Sequence, residues 1–111
     1  MLEILFGNKN IEKILFYLLL NEKCYAHELT KVFHSSLSPL QKSLEKLELT
    51  GILVSFLEGK TRLFQFNPRY PFLKELKQFL QKAYDSLPDQ FKEKYYERKI
   101  RKRPRRTGKP L

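Results

Sequence analysis

The densest concentration of chemistry in this chain is a run of cations near its end. Arg98, Lys99, Arg101, Lys102, Arg103, Arg105 and Arg106, followed by Lys109, stand in a stretch, 98–111, that contains no acid. Guanidinium and ammonium groups at that density neutralise phosphates, and each neutralised phosphate releases condensed counterions. Nucleic acid is therefore the expected partner, with an affinity that falls steeply as salt rises. The same field attracts RNA, acidic proteins or anionic lipid, and a solubilising tail is the plain alternative. Elsewhere the balance is different. The net charge of +10 comes from 22 Lys and Arg against 12 Asp and Glu, and residues 1–97 hold 14 of those cations and all 12 acids. The body is nearly neutral and the tail carries the field.

Other chemistries find no foothold. There is no glycine-rich phosphate loop, no Ser/His/Asp set of plausible layout and no pair of carboxylates at acid–base spacing, so no enzyme is expected. The single cysteine, Cys24, excludes an internal disulfide and a cysteine cluster for zinc. Cys24 with His27 supplies only two ligands. Cys24 reads as a small core residue, and His27 and His34 read as surface or capping residues. Neither metal nor cofactor is expected. The apolar run Ile14–Leu20 is too short to span a bilayer. It follows Glu3 and Glu12, and no small-residue cleavage site comes after it. It reads as a core helix in a cytoplasmic, nucleoid-associated protein with no membrane partner.

A chain of 111 residues holds one compact domain and a tail. Ile11, Ile14, Leu15, Leu18 and Leu19 recur with the period of one buried helical face, with Asn8 or Asn10 as cap. A polar break at Asn21-Glu22-Lys23 leads through a short extended link, Cys24-Tyr25, to a second helix over 26–33. Leu29, Val32 and Phe33 face inward there, and His34-Ser35-Ser36 makes a turn. The third helix, about 37–50, is the best marked. Ser38 as cap, Pro39 at the first helical position and Gln41 three residues on make a capping box, with Ser36 as rival cap. Leu40, Leu44 and Leu47 line its inner face and Gly51 supplies the positive-φ stop.

The pattern then changes. The β-branched and aromatic runs 52–57 and 61–66 flank Glu58-Gly59-Lys60 and read as a hairpin. Asn67-Pro68 and Tyr70-Pro71 break regular structure. A long helix begins near Phe72, striped by Phe72, Leu76, Phe79, Leu80, Ala83, Tyr84 and Leu87. Pro88 ends it, and a shorter helix from Asp89, with Phe91 and Tyr95 on one side, follows. The expected fold is mainly α with a small β-hairpin wing: a winged helix-turn-helix plus a C-terminal helix.

From Glu28-Leu29 through Leu40-Gln41-Lys42-Ser43-Leu44 to Gly51-Ile52-Leu53, the chain resembles without a gap the helix-turn-helix of the bacterial ArsR-like winged-helix regulators. The resemblance covers about residues 5–85. It implies a DNA-binding transcriptional regulator whose third helix enters the major groove with Ser38, Pro39, Gln41, Lys42 and Ser43, and with Lys46 one turn later. Glutamine bonds the adenine edge bidentately, lysine reaches guanine or a phosphate, and serine bonds base or backbone. Gln41-Lys42 stands where the family has Ser-Arg. The resemblance also places Lys60 and Arg62 of the wing on a phosphate or in the minor groove. The family's Cys-x-Cys metal motif is absent, so metal sensing is not carried over. For the 72–87 stripe two readings stand: packing on the first helix, or, as in ArsR-like dimers, pairing with its copy. A homodimer is expected.

The resulting division is a DNA-binding domain over 1–70, C-terminal helices over 71–97 that serve dimerisation, and a flexible basic tail over 98–111 lying on double-stranded DNA. The rivals are an RNA- or ribosome-associated basic protein, and a winged helix used for contact with a toxin or enzyme encoded nearby.

Overall fold

The computed structural model describes residues 3–92. The expectations for Tyr95 and for the tail cations Arg98, Lys99, Arg101, Lys102, Arg103, Arg105 and Arg106 lie outside the described residues. In chain order the elements are α1 (Glu3–Phe6), α2 (Lys9–Asn21), β1 (Lys23–Tyr25), α3 (Ala26–Phe33), α4 (Leu37–Leu49), β2 (Leu53–Glu58), β3 (Thr61–Phe66), α5 (Leu73–Asp85) and α6 (Asp89–Phe91).

Helix α2 is the hub. Asn8 caps it, its Oδ1 accepting from the Ile11 N–H at 2.8 Å, which satisfies one of the four orphan donors of the first turn. A one-sided stripe was the expectation, yet Phe16 and Tyr17 are as buried as Ile14, Leu15 and Leu18, while Leu19 is half-buried. Elements pack around several sides of the helix: α4, α5, β1 and α1 all touch it. A helix that is apolar nearly all round belongs at the centre of a fold. Leu80 and Tyr84 of α5 join the same buried cluster, and the Tyr84 ring meets Phe16 edge-on at 5.9 Å between centroids.

Between α3 and α4 the chain turns through His34, whose φ of 54° and ψ of 46° place it in the left-handed region. The Ser35 N–H then donates to the Thr30 carbonyl at 3.2 Å. Helix α4 starts earlier than Ser38. Its cap is Ser36, which makes no side-chain capping bond. Pro39 explains this, because it occupies the third helical position, where a capping hydroxyl would look for an N–H that proline lacks. Gln41 therefore closes no capping box and is exposed. At the other end Gly51, at φ 90°, forms a Schellman stop. The Gly51 N–H donates to Glu48 at 3.0 Å, and the Ile52 N–H donates to Leu47 at 3.1 Å.

The hairpin belongs to a three-stranded antiparallel sheet of order β1-β3-β2. The segment read as a mere link, Cys24-Tyr25, is a paired strand, with Cys24 opposite Phe64 and Tyr25 opposite Leu63. The hairpin turn is tighter than expected, since Glu58 pairs with Thr61 and only Gly59-Lys60 remain in the loop. Gly59 has φ 64° and Lys60 is not in the positive region, the II′ pattern that matches strand twist. Asn67 ties the hairpin back to the end of α4, its side-chain amide donating to the Gly51 carbonyl at 2.9 Å. Alternation sends Leu53, Phe64 and Phe66 into the core.

Candidate nucleic-acid interface

Four leucine- and serine-sized side chains set the orientation of α4. Leu40, Ser43, Leu44 and Leu47 are buried, and everything opposite them is exposed. Because residues advance 100° per step, the exposed half divides into stripes. Ser38, Lys42 and Leu49 point straight out. Leu37, Gln41, Glu45 and Glu48 edge toward the hairpin, and Pro39 with Lys46 lie on the far edge. Of the expected contact residues, Ser38, Pro39, Gln41, Lys42 and Lys46 are exposed. Ser43 is the correction. It is only 4% exposed, since its position, three residues after Leu40 and four before Leu47, lies inside the apolar stripe.

An open cleft of about 570 Å³ separates α4 from the hairpin, and Gln41, Glu45 and Glu48 face Lys60, Thr61 and Arg62 across it. His27 and Ala26, at the start of α3, close one end. The structure thus brings Gln41, Lys60 and Arg62 around one space and leaves Ser38, Lys42 and Lys46 on the outer surface. Arg62 is not a bare cation. Its Nη1 donates to Ser55 Oγ at 2.9 Å, and Ser55 Oγ donates to Glu48 Oε2 at 2.6 Å. On the opposite sheet face, the Tyr25 hydroxyl donates to Glu58 Oε1 at 2.8 Å. That hydrogen bond first, then desolvation and the charges of Glu58 and Glu28, hold the Tyr25 phenol above its usual 10.0.

Absent from the residues expected from sequence are Glu45 and Glu48, which line the cleft, and Ser55, which links Glu48 to Arg62. A signal existed for the two acids, four and seven residues beyond Gln41 on one helical edge. Their effect on the electrostatics is direct: Glu45, Glu48 and Glu58 offset most of Lys42, Lys46, Lys60 and Arg62. Leu49, 88% exposed, adds an apolar spot to the outward stripe. Among the described residues, no group of three or more His, Cys, Asp or Glu is placed to hold a metal ion. Cys24 is buried and His27 exposed. No helix among them is long and apolar enough to cross a membrane.

Two helices joined by a tight turn, the second presenting a polar face beside a two-stranded hairpin, define a winged helix-turn-helix fold. No family model matches the chain, and no curated protein matches it in sequence. Among solved structures it is similar to the adhesin competence repressor AdcR from Streptococcus pyogenes. The two share 11% identity at a TM-score of 0.53, over 84% of this chain and 72% of the AdcR chain. At that identity the likeness is one of fold.

Proposed function

We propose that the chain is a sequence-specific, double-stranded-DNA-binding transcriptional regulator of the ArsR-like kind, acting in the cytoplasm. The observation that carries this reading is the outward face of α4, where Ser38, Gln41, Lys42 and Lys46 stand exposed beside a hairpin tipped by Lys60 and Arg62. In this reading α4 enters the major groove. Gln41 reads an adenine edge and Lys42 a guanine or phosphate, while Pro39 and Ser38 approach the backbone at the helix start. The hairpin and residues 98–106 lie along phosphates. Ser43 is withdrawn from the contact set.

Gln41→Ala and Lys42→Ala are each expected to weaken binding to a duplex selected from genomic fragments by about 1–3 kcal/mol, and to weaken binding to random duplex less. Fluorescence anisotropy on both probes measures this. Equal losses on the two probes would end the claim to sequence reading.

The same reading makes the protein a homodimer through α5, so that two α4 helices meet half-sites about one helical turn apart. Leu80 and Tyr84 face α2, which realises one of the two roles of the stripe. Its other edge remains outward, with Phe72 63% and Phe79 43% exposed. Phe79→Glu is expected to turn a dimer into a folded monomer by sedimentation equilibrium, with circular dichroism unchanged. An unaltered protein that sediments as a monomer would refute the dimer.

A further inference from the structure

The chain of hydrogen bonds from Arg62 to Ser55 to Glu48 joins both strands of the wing to the recognition helix. Its direction follows from proton inventory. Ser55 has one hydroxyl proton, and the contact with the Glu48 carboxylate, at 2.6 Å, consumes it. Only lone pairs then remain to face Arg62, whose Nη1 donates to them at 2.9 Å. Without Glu48 the Ser55 proton is free to rotate, and the oxygen's lone pairs are no longer held toward Arg62.

Register makes the arrangement possible. Ser55 lies opposite Phe64, and Leu57 opposite Arg62, so Ser55 and Arg62 are diagonal neighbours on one face of the hairpin. Phe64 and Leu53 carry that same face into the core, which places Ser55 under the end of α4, within reach of Glu48. Arg62 and Glu48 both line the helix–wing cleft. The guanidinium spends one donor of its rigid fork on Ser55 and keeps the remaining edge for an anion.

We propose that Ser55 and Glu48 are positioning residues which pre-orient Arg62 over the helix–wing cleft to take a phosphate oxygen of the nucleic-acid backbone. This rests on the DNA-binding reading above and adds to it the means by which the wing's arginine is aimed. A long side chain held in its bound geometry loses less freedom on binding. Ser55 and Glu48 touch no DNA and act only through Arg62.

The test is a set of mutant cycles on the full chain, read by anisotropy of a labelled mixed-sequence duplex across a salt series. Arg62→Ala is expected to lower the slope of log affinity against log salt by about 0.9, the share of one phosphate contact. Ser55→Ala is expected to weaken binding by about three- to tenfold, the range of one hydrogen bond. Ser55→Thr, which keeps the hydroxyl in a strand, restores affinity. The Ser55→Ala loss disappears in an Arg62→Ala background and shrinks in a Glu48→Ala background, whatever the lost charge itself does. A wing merely loosened by Ser55→Ala would weaken both backgrounds alike. Additive losses of Ser55→Ala and Arg62→Ala, with the unaltered protein binding normally, overturn this positioning role and leave the DNA reading standing. Failure of the unaltered protein to bind any duplex overturns both.

Discussion

Removal of residues 98–111 is expected to weaken binding to any duplex by about 100-fold or more near 0.1 M salt. The size of the effect comes from where the charge lies. Eight cations and no acid occupy that segment, whereas around α4 and the wing three carboxylates stand against Lys42, Lys46, Lys60 and Arg62. A face so balanced exerts little long-range pull. If about five of the tail cations meet phosphates, the slope of log affinity against log salt falls by about 4–5 on truncation. Cognate and random duplexes lose affinity alike, because phosphate contacts position a protein without reading bases. This separates the tail from Gln41, whose loss is expected mainly on the cognate probe. A truncated protein with the original slope would remove the tail from the DNA. Tighter binding of the full chain to structured RNA than to duplex, surviving Gln41→Ala and Lys42→Ala, would favour the RNA-associated alternative.

What could be read from the residues alone follows the range of the interaction behind each feature. Gly51 was legible because a Schellman stop is a local matter of one positive φ and two nearby carbonyls. The hairpin was legible from its β-branched and aromatic runs and from Gly59 between them. The exact start of α4 was not, because Ser36 and Ser38 are chemically equivalent caps, and the choice between them rests on how the preceding turn leaves α3. Strand β1 escaped for a different reason. Three residues have no period of their own, and Cys24 becomes a strand residue only through Phe64, forty positions later.

The interface shows the same division. Burial of Ser43 was implicit in the spacing of Leu40, Leu44 and Leu47; its hydroxyl drew attention away from its place in that stripe. Glu45 and Glu48 were visible on the wing-facing edge of α4 by spacing from Gln41. Their meaning was not, since the Glu48–Ser55–Arg62 chain exists only once the sheet register brings β2 and β3 under the helix end. Sequence periodicity tells which side of a helix is outward. It does not tell what stands across the cleft from it.

Phe16→Ala is expected to destabilise the protein by about 3–5 kcal/mol, a large fraction of the roughly 5–15 kcal/mol that holds a typical domain folded. Phe16 is 0% exposed, and its ring plane stands at 60° to that of Tyr84. Truncation removes the transfer energy of the ring, leaves a cavity between α2 and α5, and deprives Tyr84 of an edge-to-face partner worth about 0.5–1.5 kcal/mol. Chemical denaturation measures it as a lower midpoint with little change in slope. Phe79→Ala is the control. It removes the same ring from a position 43% exposed, so in the monomer it should cost far less. The two substitutions also separate stability from function. Phe16 meets Tyr84 of α5 and lies away from the exposed face of α4, so Phe16→Ala weakens DNA binding mainly through the unfolded fraction, and a saturating duplex raises the apparent midpoint by mass action. A midpoint equal to that of the unaltered protein would mean that α2 is not the hub on which α4 and α5 are assembled.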